Sequence, residues 1–219
     1  MDKFQAYEKY VKGDGIELGA LCFPWAVHHD ISVRTINSQS GKEQRSIIIP
    51  NLGIDLIGVP TGSQDFLISS HSLEHSENAI ESVKSWLRVI KKDSHILLTI
   101  PEMTKTFDAK RPVTEWGHFL EEFLFKNKYL LNRQEHFTEY FTHVDGFQGQ
   151  ILEEAVNAAI KTEARIHFHC FTERSVREFF ENLSNSYGGF TIKELFLVGP
   201  EVLVVLKKEC EGDPKWLAT

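Results

Sequence analysis

Cysteine is scarce in this chain: three in 219 residues, at Cys22, Cys170 and Cys210, widely scattered and in no Cys-x-x-Cys pair. That excludes a disulfide framework and a zinc knuckle, and reduced thiols in a cytoplasmic setting are expected. Long hydrophobic runs are missing as well. No stretch of about eighteen apolar residues is available to span a bilayer. The opening MDKFQAYEKY lacks the apolar segment of a signal peptide. Basic excess is absent: 24 Lys and Arg stand against 31 Asp and Glu, for a formal charge of −7. That is the wrong sign for a nucleic-acid surface, so neither nucleic acid nor membrane is an expected partner. There is no Gly-x-Gly-x-x-Gly, which disfavours an NAD-dependent oxidoreductase.

What is present is core-forming material and α/β order. The apolar fraction is 42%, with sixteen Phe, ample for a single domain over residues 1–219. Asp65 to His75, DFLISSHSLEH, followed by WLRVIKKDSHILLTIP from Trp86 to Pro101, reads as strand, polar switch, amphipathic helix, basic turn and buried strand. That is a βαβ unit, and ligands of such sheets sit past the carboxyl ends of the strands, here at Ser69, Ser70 and His71.

The remaining elements follow from periodicity. Phe4, Tyr7 and Val11 mark a first helix; Gly15–Gly19 and Ile31–Ile36 read as strands. A third strand belongs in Ile47–Ile49 or Ile54–Val59, the latter favoured. Asp65–Ser70 is the fourth, and His95–Ile100 the fifth. Between these two lies a helix with Ala79, Val83, Trp86, Leu87 and Ile90 on one face, closed by Lys91-Lys92-Asp93. Residues 102–165 break the alternation as a helical insertion, with one helix marked by Trp116, Leu120, Phe123 and Leu124 and another by Ile151, Ala155, Val156 and Ala159. Thr172 is placed to cap a helix carrying Val176, Phe179, Phe180 and Leu183. TIKELFLVGPEVLVVLKKE then reads as two strands joined at Gly199-Pro200.

The run Asp-apolar-apolar-apolar-Ser-Ser-His-x-Leu-Glu-His, the Leu-Arg-Val-Ile-Lys that follows and the apolar strand ending in Ile-Pro resemble the middle of class I S-adenosylmethionine-dependent methyltransferases. Phe107, Asp108, Arg111, Pro112 and Thr114, with a later His169, Phe171 and Thr172, resemble a bacterial branch often associated with glycan and sugar biosynthesis. The resemblance implies a doubly wound, mostly parallel seven-stranded α/β sheet with a C-terminal antiparallel hairpin. It implies S-adenosylmethionine as cofactor and a small-molecule or glycan-type acceptor. Glu17, Gly19, Ala20, Asn37, Asp55, Ser70 and His71 would hold the cofactor; His71, His75, Asp108, Arg111 and His118 are the catalytic or acceptor-side candidates. The pattern departs at the first turn, where Leu21 and Phe23 replace the usual further glycines, and at Asn37, where a carboxylate is expected. Both departures favour the rival reading, a non-catalytic binding or scaffold module on the same fold.

Blander roles stand beside these. Asp55 suits a loop or cap; Asp108 and Arg111 suit a mutual pair at a surface loop; His71 and His75 suit pocket-shaping hydrogen bonds. His-x-x-Glu-His formally matches an inverted zinc-protease motif. Its first His ends a strand and no third ligand is nameable, so no metal is expected there. His118, His136 and His143, with Glu135 and Asp145, lack ligand spacing. His167 and His169 would point to one side of a strand.

Overall fold

The computed structural model describes residues 2–18, 33–36, 56–125, 128–213 and 216, with the backbone alone for 33–36, 129 and 130. Helix α1, Lys3–Tyr10, starts in a reciprocal cap between Asp2 and Gln5. Strands β1, Gly15–Leu18, β2, Val33–Ile36, and β3, Gln64–Ser70, precede helix α2, Ala79–Val89, and strand β4, Ile90–Pro101. Helices α3, Trp116–Leu124, α4, Tyr129–Tyr140, and α5, Gly149–Thr162, make up the insertion. Helix α6, Glu173–Tyr187, and strands β5, Phe190–Val198, and β6, Glu201–Lys208, come last among the described elements.

The sheet order is β2-β1-β3-β4-β6-β5. The first four strands pair in parallel, whereas β6 runs antiparallel to both β4 and β5. Val198 pairs with Glu201 across a two-residue turn, where Gly199 takes φ 60°. The expectation was seven strands; six lie among the described residues.

Side-chain alternation divides the core between two faces. Phe66, Ile68, Leu97, Leu203 and Val205 face α1 through Ala6, Tyr7, Tyr10 and Val11. On the opposite face, Leu67, Ile96, Leu98, Val204 and Leu206 pack with α2, α3 and α6. The stripe of α2 is buried as the periodicity implies, with Val83, Trp86 and Leu87 fully enclosed. Thr172 caps α6 reciprocally with Ser175. Gly15 is required by crowding, since a Cβ there would stand 2.5 Å from the Phe66 carbonyl oxygen.

Several local expectations are corrected. Phe4 is exposed; Ala6 and Tyr10 join Tyr7 and Val11 on the buried face of α1. Lys91-Lys92-Asp93 do not end α2. The helix stops at Val89 and these residues bulge from β4, where register with β3 slips between Gln64 and Phe66 and Asp93 adopts φ 65°. Residues 56–59, the described part of the favoured third strand, form a turn held against α2. Arg88 donates to the carbonyls of Val59 and Leu56 at 2.9 and 3.0 Å, and Ser85 Oγ accepts from Leu56 N. Lys208, fully buried, donates to the Ile90 carbonyl at 2.9 Å and occupies the end of α2 expected for Lys91-Lys92-Asp93.

The insertion holds one helix more than its periodicity suggested, α4. With α5 it forms a small core of its own from Phe137, Val156, Ala159, Ile166 and Phe168.

Candidate functional site

Past the carboxyl ends of β3 and β4 the chain gathers most of its histidines. His71 continues the β3 ladder by one bond, its N–H donating to the Thr99 carbonyl at 3.0 Å, and then turns away at φ 48°. A left-handed conformation in a non-glycine residue costs about 1–2 kcal/mol, and such strain collects at functional sites. The expected helix start at Glu74 and His75 is instead a short 3-10 turn, Leu73–His75; α2 begins only at Ala79, capped by Asn78. Glu74 is therefore enclosed rather than placed at a helix pole.

The turn binds the segment before α6. The Glu74 carbonyl accepts from Phe168 N at 2.7 Å and His169 N at 3.2 Å, and His75 Nδ1 donates to the Ile166 carbonyl at 2.8 Å. Two successive amides on one carbonyl are incompatible with a regular strand. This is why His167 and His169 do not share a side as expected: their rings enter separate clusters.

In the first cluster the rings of His71, His75 and His167 surround the Glu74 carboxylate. His71 Nδ1 stands 3.7 Å, and His75 Nε2 and His167 Nε2 each 4.0 Å, from Glu74 Oε1. His71 Nε2 meets Glu201 at 2.7 Å, and Glu201 also pairs with Lys3. His167 Nδ1 meets Asp108 at 2.6 Å. Burial pushes the Glu74 carboxyl up to about 7 and the His75 imidazole down to about 4. Burial likewise lowers His71, helped by the Lys3 charge. The cage is open at His71, whose side chain keeps 41% exposure while Glu74 keeps none.

Asp108 and Arg111 are neither a surface pair nor open to an acceptor. Arg111 is enclosed, donating to Asp108 at 2.7 Å, to the His167 carbonyl at 2.8 Å and to Glu139 at 2.8 Å. Burial works to raise Asp108, but bonds from His167 and Arg111 hold its carboxyl below the usual range. The pair positions His167.

The second cluster takes His118 away from the first. Glu122, one helical turn on in α3, accepts from His118 Nε2 at 3.1 Å, from His136 Nε2 of α4 at 2.8 Å and from His169 Nε2 at 2.9 Å. Burial alone would raise Glu122, yet the imidazoles outweigh it and hold the carboxyl well below its ordinary value. The Glu122 bond raises His118, while burial lowers His169 to about 4. The carboxylate thus ties α3 and α4 of the insertion to the segment that carries His167.

Of the cofactor-side candidates, Glu17 is enclosed at the end of β1, and Ser70, half-buried at the end of β3, accepts from Thr99 Oγ1 at 3.1 Å. Gly19, Ala20, Asn37 and Asp55 lie outside the described residues. Sequence reasoning gave no site role to Glu122 or Glu201. Glu122 had a signal, its spacing of four from His118 on one helix face; Glu201, remote in sequence, had none.

No protein-family model matches the chain, and no curated protein matches it. Solved structures with a similar chain layout include a 16S rRNA methyltransferase of T. thermophilus in complex with AdoMet and guanosine. It is 8% identical with a TM-score of 0.43, over 98% of this chain and 40% of that one. This chain therefore spans well under half of that protein's length. Others are a possible histamine N-methyltransferase from Thermotoga maritima (10% identity, TM-score 0.43, 94% and 87% of the two chains) and a SAM-dependent methyltransferase from Aquifex aeolicus (11%, 0.47, 93% and 87%). Likenesses at these values carry no assignment of chemistry. No described helix is long and apolar enough to cross a membrane.

Proposed function

We propose that this chain transfers a methyl group from S-adenosylmethionine to an O or N atom of a small polar or glycan-linked acceptor. The observation that carries the reading is the sheet: four parallel strands closed by an antiparallel pair with β6 set between β4 and β5. A terminal hairpin of that kind separates a methyltransferase-like sheet from a plain NAD-binding one. The polar cluster lies where ligands of parallel sheets bind, past the carboxyl strand ends. Glu17 and Ser70, on neighbouring strands in which Leu18 is in register with Ser69, are the described residues that fit the polar part of the cofactor.

When bound, that cofactor supplies an electrophilic methyl group on sulfur. The chain's own part is alignment, which contributes up to about 7–11 kcal/mol when reacting atoms are held in line. Proton removal from the acceptor falls to His71, the ring at the open side of the cage with 41% side-chain exposure. Fold alone does not select catalysis, and Leu21, Phe23 and Asn37 favour the scaffold alternative. Calorimetric titration with S-adenosylmethionine, S-adenosylhomocysteine and NAD decides. Micromolar binding of the first two alone supports methyl transfer; no binding at millimolar ligand leaves the scaffold reading.

A further inference from the structure

We propose that Glu74, His75 and His167 form a binding site for a divalent metal ion of the zinc class, with a coordination position left open. Proton accounting leads there. The outer nitrogen of each ring meets an atom that can only accept: the Ile166 carbonyl for His75 Nδ1, the Asp108 carboxylate for His167 Nδ1 and the Lys3-paired Glu201 for His71 Nε2. Those nitrogens carry the N–H, so in neutral rings the inner nitrogens present bare lone pairs. All of them face Glu74, whose two oxygens are enclosed without any hydrogen-bond partner. Acceptors thus confront an acceptor across 3.7–4.0 Å, too far for a hydrogen bond even if a proton were supplied.

A cation among Glu74, His75 and His167 satisfies the lone pairs of those three groups. The ligand atoms of Glu74, His75 and His167 lie within 4.8 Å of one another. Bonds of about 2.0–2.2 Å to a shared ion bring such atoms to about 3–4 Å. Ring nitrogens donating to a carboxylate or a backbone carbonyl are the arrangement that fixes metal-binding imidazoles; here Asp108 and Ile166 supply it, with Arg111 behind Asp108. Two His and one Glu with an open position make a catalytic rather than a closed structural set.

The Glu122 cluster also brings its ligand-type atoms within 4.8 Å, but there each carboxylate oxygen already accepts an N–H and no lone pair is stranded on it. Ion binding stands independently of methyl transfer. Only the ion's use, holding an acceptor oxygen at the mouth of the cofactor site, rests on the proposed function.

The test is metal content of the purified 219-residue chain by inductively coupled plasma mass spectrometry, after loading with Zn²⁺ and gel filtration. It is repeated on Glu74→Gln, Asp108→Asn and Glu122→Gln, with circular dichroism to confirm folding. Expected are about one ion per chain in the parent and in Glu122→Gln, and none in Glu74→Gln. Asp108→Asn should weaken affinity about 10–100-fold against a chromophoric chelator. Stripping the parent with chelator and restoring Co²⁺ should give visible d–d absorption, a readout that needs no variant. Absence of bound ion in the parent, or an ion lost in Glu122→Gln and kept in Glu74→Gln, overturns the proposal. Calorimetry on the same samples separates the readings: an ion with no S-adenosylmethionine binding supports the metal site and removes methyl transfer, and the converse removes the metal site alone.

Discussion

Replacing Glu122 by Gln is the most informative perturbation of the insertion. The carboxylate accepts N–H bonds from rings on α3, on α4 and before α6, at 3.1, 2.8 and 2.9 Å. The amide keeps the shape but not the charge, and its NH₂ meets a donor. One imidazole must then give up its bond or change tautomer; for His169 that puts a proton on Nδ1, which is buried without a partner. Bonds to a charged group contribute about 1.5–3 kcal/mol each, and a stranded buried donor costs about 1–3 kcal/mol. Part of the loss is relieved because His118 is one-third exposed, so about 3 kcal/mol is expected. At about 2–4 °C per kcal/mol for a chain of this size, the melting temperature should fall by about 6–12 °C.

The same variant has a pH signature. His118 faces Glu122 and His136 directly, with Glu121 and Glu135 adding to the field that raises it. Its folded value lies above the ordinary 6.5, so its contribution is complete below 6.5 and is lost as pH rises through the folded value. Glu122 is depressed, so its contribution is present above the ordinary 4.5 and is lost only as pH falls through its folded value. The parent's advantage over Glu122→Gln should therefore be largest between pH 4.5 and 6.5 and shrink toward pH 9. Thermal melts by circular dichroism at pH 5.5 and 8.5 measure this. A melting loss below 2 °C, or a loss equal at both values, would refute the hydrogen-bond account.

Arg111→Ala removes an enclosed guanidinium and leaves Asp108 buried beside His167. Breaking a buried pair in this way costs about 3–5 kcal/mol, to be read as a lower urea midpoint with unchanged slope; a shift worth under 1 kcal/mol would show that solvent reaches Asp108. Glu17→Ala and Ser70→Trp should each weaken S-adenosylmethionine binding in calorimetry while leaving the protein folded. Unchanged binding in both would displace the cofactor site from the ends of β1 and β3.

The elements that could be read from the chain are those whose pattern is local. The α2 stripe, the Thr172 cap and the paired strands about Gly199 each depend on residues a few positions apart, and all are found. The α1 face was read through Phe4 instead of Ala6 and Tyr10 because an eight-residue helix offers too few apolar positions to set a phase. The α4 helix was missed because its apolar residues serve a satellite core that exists only once α5 packs on it. Lys91-Lys92-Asp93 looked like a helix end, yet Lys208, about 120 positions away, fills that place.

For the site the division is sharper. His-x-x-Glu-His and His-x-His are plain in the sequence, and the former's place at a strand end is legible. That strand-end position argues against the inverted zinc-protease motif, which needs both His on one helix, and the sequence names no third ligand. Tertiary structure separates the two imidazoles of His-x-His: the Glu74 carbonyl takes two successive amides, and His167 lies beside the Glu74 carboxylate while His169 meets Glu122. Periodicity fixes which way a residue points within its own element. It is silent about which distant carbonyl an irregular segment will bond, because that choice is made by packing after the elements exist. The sequence alone thus determined the α/β order, the parallel sheet with its terminal hairpin and the strand end at which the polar side chains gather. Which imidazoles meet which carboxylate is decided only by how the insertion and the segment before α6 pack over that strand end.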